Sequence, residues 1–146
     1  MTTNNQINGT IDSLIQINFE RMSTFDKASQ STTDEELKNY FENRADESER
    51  HIEELEAVRS FSSGPVKILQ NMFLLPACKI FDNAICRKKI NAIIDSAHRV
   101  EKHMLDWYQK MVDEVPGEIG KLLAQQLMTV KRSQFELSQL TSEMKG

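Results

Sequence analysis

A chain of 146 residues with 39% apolar and 27% charged residues, five glycines and three prolines has the composition of a single helix-rich folded domain, not a disordered segment. Such a length buries roughly 70% of the unfolded surface on folding, enough for one sizeable core. Eighteen basic against 22 acidic residues give a net charge of -4. Duplex nucleic acid is therefore a poor partner, because neutralising phosphates requires a basic face. The clusters Arg87-Lys88-Lys89 and Lys131-Arg132 are too short to change that.

In chain order, MTTNNQINGT lacks the basic and apolar regions of a secretory signal, and residues 1–9 read as a polar tail of a cytoplasmic protein. Apolar residues then recur at three- and four-residue spacing, the helical period. The first pattern, Ile11, Leu14, Ile15, Met22 and Phe25, stops in SQSTTD, where Thr33 and Glu36 suit a capping box. The second, Leu37, Phe41, Ala45, Ile52 and Leu55, ends at Gly64-Pro65. The third runs from Ile90 through Ile94, Ala97, Leu105 and Tyr108 to Val112, and the fourth from Ile119 through Leu123, Leu127 and Val130 to Leu137. Nothing alternates like a strand. Four long amphipathic helices with short first and last links predict an all-α antiparallel four-helix bundle filling residues 1–146 as one domain.

Between the second and third helices lies a crossover, 64–81, expected to begin with a short extra helix that Pro76 breaks or kinks. It is too short and too interrupted to span a bilayer. Its Met72, Phe73, Leu74 and Leu75 either cover one end of the core or form a contact surface for a partner. Cys78 and Cys86 make neither a disulfide framework nor a CxxC motif, and on one helix they would stand about 12 Å apart, so free thiols are expected.

The chemistry turns on polar residues at the centre of apolar stripes. These are Asn18 on the first helix, Ser48 with His51 on the second, and Glu101 with His98 at the stripe's edge on the third. Gln126 and Ser133 flank Val130 on the fourth. The stretch ADESERHIEEL, 45–55, holds five carboxylates, of which Asp46, Glu47, Glu49, Glu53 and Glu54 are all expected to face solvent.

One mid-stripe polar residue on each of three helices resembles the ferritin-like carboxylate proteins, which direct Glu and Glu-x-x-His ligands into the bundle core. More narrowly, IDSLIQINFERMSTFDKAS and DEELKNYFENRADESERHIEELEAV resemble an uncharacterised bacterial family of ferritin-like bundles, a domain of unknown function. The resemblance implies ligand positions at Asn18, at Ser48 and His51, at Glu101, and at Val130 and Ser133. Only His51 and Glu101 of these keep a ligand, too few to bridge and neutralise two cations. The di-metal site is therefore expected to be degenerate, with no cofactor. A remnant Glu101 would be satisfied by a nearby His or amide, and Glu101→Leu would then be neutral or stabilising.

There is no glycine-rich phosphate loop, HExxH or G-x-S-x-G, and no catalytic residue is expected. Tyr40, Trp107 and Tyr108 read as core or interface anchors. The expected function is non-catalytic, through self-association or a protein partner. The alternative is a metal-binding or redox protein holding one Fe, Mn or Zn ion through His51, His98 and Glu101.

Overall fold

The computed structural model describes residues 4–59, 74–87 and 89–145, and within them all the regular secondary structure is helical. The elements are α1 (Asn4–Ser31), α2 (Glu35–Val58), α3 (Pro76–Arg87), α4 (Ile90–Val112) and α5 (Gly117–Lys145). Among the described residues no helix is long and apolar enough to cross a membrane.

Most of the expected polar tail is helical, because Ile7 packs against the core and Asn8 is buried, which carries α1 back to Asn4. Three residues link α1 to α2, and the cap is Asp34, not Thr33. The Asp34 carboxylate accepts the Leu37 N–H at 2.9 Å from an extended backbone, and Glu35 and Glu36 follow in the first turn. A charged acceptor at the positive end of a helix is favoured over an exposed hydroxyl one residue earlier. The α4–α5 turn needs glycine twice. Gly117 has φ +72°, and a Cβ on Gly120 would lie 2.2 Å from the Val115 carbonyl oxygen.

Pro76 is the first residue of α3, where its fixed φ and missing N–H suit a helix start. The short helix expected earlier in the crossover, together with Met72 and Phe73, lies outside the described residues. Glu20 of α1 fixes the start of α3 by accepting the Leu74 and Leu75 N–H groups at 3.1 and 2.9 Å. Leu75 is fully buried and Leu74 half-buried, so this end of the expected contact surface covers the core.

Helices α1 and α2 pair along their lengths, as do α4 and α5, while α3 lies against α4 and α1. Cross-helix partners set the directions. Asn18 meets Tyr108 and Arg21 meets Glu101, so α1 and α4 run antiparallel. His51 meets Thr129 and Arg44 meets Glu136, so α2 and α5 do likewise. The short links make α1 antiparallel to α2 and α4 to α5, which leaves α2 and α4 parallel. The order of the four long helices is up, down, down, up.

An aromatic cluster anchors one level of the core. The ring centroids of Phe25, Phe41 and Phe81 are 5.3 to 5.7 Å apart in tilted and edge-on pairs, contributed by α1, α2 and α3. Burying each such side chain contributes roughly 2–3 kcal/mol. Directly above it the core turns polar.

Candidate functional site

Arg21 is the largest fully buried side chain, with 0% of its surface exposed. It stands three residues after Asn18 and four before Phe25, on the inward face of α1. Its guanidinium grips Glu101 of α4 through two parallel bonds, Nε to Oε1 at 2.7 Å and Nη2 to Oε2 at 2.8 Å. Its Nη1 donates to Glu47 Oε1 at 2.9 Å and Ser48 Oγ at 3.0 Å, both on α2. Four of the five guanidinium N–H groups are thereby used. The guanidinium carbon lies 5.4 Å from the Phe25 ring centroid, so the aromatic cluster forms its floor.

Both carboxylates have further partners. Tyr40 donates its hydroxyl to Glu101 Oε2 at 2.7 Å, with the Ser133 carbonyl 3.0 Å away as a second acceptor. Glu47 receives Arg44 at 3.1 Å and the Ser133 hydroxyl at 3.0 Å. Burial works against the charge on Arg21, but the adjacent Glu101 and Glu47 outweigh it and hold the guanidinium above its ordinary range. Burial likewise opposes ionisation of Glu47, and Arg21 and Arg44 overcome it, leaving its carboxyl below the usual value. Burial and the neighbouring Glu101 push the Tyr40 phenol well upward, so it remains a donor.

One turn along the molecule a layer of mainly uncharged side chains continues the network. The Asn18 amide donates to the Tyr108 hydroxyl at 2.8 Å, and Tyr108 donates to Gln126 Oε1 at 2.6 Å. Gln126 donates in turn to Glu54 at 3.1 Å. His51 lies between Asn18 Oδ1 at 3.2 Å and Thr129 Oγ1 at 2.9 Å. An amide oxygen only accepts, so Nδ1 carries the proton and Nε2 accepts. Burial, followed by the nearby Arg21, pushes the His51 pKa down to about 4, and the ring is neutral at pH 7.

The structure thus gathers Asn18, Ser48, His51, Glu101 and Gln126 into one connected core network. His98 stands apart, half-buried, with Nε2 2.9 Å from Thr141 Oγ1 of α5. His51, His98 and Glu101 are not gathered at one point, and among the described residues no three His, Cys, Asp or Glu side chains are placed to hold a metal ion. The Glu101 and Glu47 oxygens are turned toward a guanidinium, whose N–H groups have no lone pair to coordinate a metal. The residues present do not fit a metal in this place.

The expectation that every carboxylate of ADESERHIEEL faces solvent is wrong for Glu47, which is buried, and for half-buried Glu54. Asp46, Glu49 and Glu53 do face outward. Glu47 is drawn in by Arg21 and Arg44. Arg21 itself escaped the sequence reading, although a charge in register with Asn18 and Phe25 was a readable signal. Val130 is buried and apolar, while Ser133 belongs to the network.

A cavity of about 640 Å³ opens at one end of the molecule between Gly9, Thr10 and Ser13 of α1 and Met111, Asp113 and Glu114. No network residue lines it. No family model, curated protein or solved structure matches the chain.

Proposed function

We propose that the protein is a non-catalytic bundle of ferritin-like architecture, in which an arginine has replaced the metal centre, and that it acts by association with a second copy of itself. The single observation that carries this reading is the fully buried Arg21, bonded at once to Glu101 and Glu47. In such a core the two carboxylates are turned to Arg21, Arg44, Tyr40 and Ser133, and among the described residues no three His, Cys, Asp or Glu side chains are placed to hold a metal. The up, down, down, up order of the long helices is the one a ferritin-like bundle with a single long crossover requires.

Chemistry being closed off inside, the surface is left to act. Met128 and Phe135 stand 58% and 62% exposed on α5, seven residues apart and so on one helix face. They are the apolar anchors through which association is expected, in place of the buried Leu75.

Two measurements test the reading. Tag-free protein incubated with Fe(II), Mn(II) and Zn(II), desalted and submitted to elemental analysis should retain far less than one ion per chain. Near-stoichiometric retention of any of the three overturns the arginine-for-metal replacement. Light scattering should give a mass above the 16.8 kDa of one chain, falling to one chain in Met128→Ser/Phe135→Ser. A single-chain mass for the natural protein overturns self-association.

A further inference from the structure

The two carboxylates that receive Arg21 have other partners as well. Glu101 is held from its far side by Tyr40 at 2.7 Å, and Glu47 by Arg44 at 3.1 Å and by the Ser133 hydroxyl at 3.0 Å. The walls are therefore built by α2, α4 and α5, the floor by Phe25, and only the occupant comes from the Arg21 side chain. We propose that Glu101, Glu47 and Ser48 form a guanidinium-binding site in their own right, with Arg21 as its tethered ligand, and that the site accepts a free guanidinium ion when the tether is removed. The inference rests on the preceding reading, in which these carboxylates hold an organic cation and not a metal.

Charge and shape select the ligand class. Arg21 and Arg44 balance Glu47 and Glu101 within the network. Removal of Arg21 leaves one uncompensated negative charge in a desolvated place, which a monocation neutralises and a divalent ion overshoots. Glu101 presents both oxygens to two parallel N–H groups, while Glu47 and Ser48 accept from the third nitrogen. That pattern matches a planar fork. Sodium has no directional donors, and an ammonium ion cannot span both acceptor sets in one plane.

The test is a thermal melt of Arg21→Ala, followed by circular dichroism, with about 20 mM guanidinium chloride against equal sodium chloride, a concentration far below the denaturing range. A site with a dissociation constant of about 2 mM gives a rise in Tm of about 4 °C over the sodium control. The natural protein, whose site is filled, should show no rise. Where Arg21→Ala is unfolded alone, the same titration is read as recovery of helical signal. A folded variant without a guanidinium-dependent rise, or an unfolded one without recovery, overturns the proposal. So does an equal or larger response to manganese or zinc chloride. Metal retained by the natural protein would remove the preceding reading instead, and is measured on a different sample.

Discussion

Replacing Glu101 by leucine separates an ion pair that the core depends on from a harmless remnant. Glu101 has 0% exposure and accepts three hydrogen bonds, two from Arg21 at 2.7 and 2.8 Å and one from Tyr40 at 2.7 Å. Leucine fills a similar volume, so the cost is electrostatic. Arg21 keeps its charge and its contacts with Glu47 and Ser48 but loses two charge-assisted bonds in a site without water access, a loss of about 3–5 kcal/mol. For a chain of this size that lowers Tm by about 10–20 °C. The double variant Arg21→Met/Glu101→Leu behaves differently. Glu47 retains Arg44 and Ser133, and Tyr40 retains the Ser133 carbonyl, so no buried charge is orphaned. It should recover to within about 2 kcal/mol of the natural protein, because apolar residues of matched volume commonly replace a buried ion pair without loss. Removing Arg21 alone orphans Glu101 at a similar cost, so urea unfolding of the natural protein, the two single variants and the double variant forms a cycle with an expected coupling of at least about 4 kcal/mol. A Glu101→Leu protein within about 1 kcal/mol of the natural one, or a double variant showing the plain sum of the single losses, would refute the reasoning.

Three further outcomes follow from the same network. His51 has a folded pKa of about 4, below the ordinary 6.5 of histidine, so the unfolded chain takes up the proton first as pH falls. Stability should be complete above pH 6.5 and decline toward pH 4, by on the order of 3 kcal/mol from this residue. Glu47, lowered in the fold, adds loss in the same direction at the acid end. Melts across this range should show a visibly shallower slope for His51→Gln, and an unchanged slope would remove His51 as the cause. Tyr40→Phe leaves Glu101 Oε2 without its second donor and should cost about 1–2 kcal/mol in urea unfolding, with no effect contradicting the assigned bond. Finally, Cys86 is exposed whereas burial pushes the Cys78 thiol up to about 12. A thiol reagent should modify one cysteine of the folded protein and two in denaturant, and fast reaction of both before unfolding would contradict the packing of α3.

The long helices were legible in the sequence because a 3.6-residue spacing of apolar side chains depends on one helix at a time. Positions that depend on two helices were not. That Asn18 meets Tyr108 is fixed by a register between segments 90 residues apart, and no local pattern encodes it. Pro76 marks a helix boundary in the sequence, and the structure adds that a helix starts there, at the one position where the ring is an advantage. Asn18, Ser48 and Glu101 stood out as polar residues on apolar stripes, but Arg21, on the same stripe, was passed over in favour of Asn18 as its polar centre. Glu47 lies 100° from Ser48 around α2 and was assigned to solvent, since the helical wheel cannot show that Arg21 and Arg44 approach from either side. The candidate site was thus half legible. Asn18, Ser48, His51, Glu101 and Gln126 are marked by their places on apolar stripes, whereas the pairing of Arg21 with Glu101 and Glu47 depends on the register between helices.

The central claim is that a guanidinium is held in the dry core by two carboxylates. Its most direct test is the side-chain Nε–H signal of Arg21 in a nitrogen-15 correlation spectrum, assigned by its absence from Arg21→Lys. A proton bonded to Glu101 and shielded from solvent should stay sharp at pH 7 and persist long after transfer to deuterated water, while exposed arginines lose theirs at once. Loss of the Arg21 signal as fast as that of the exposed arginines would contradict the account.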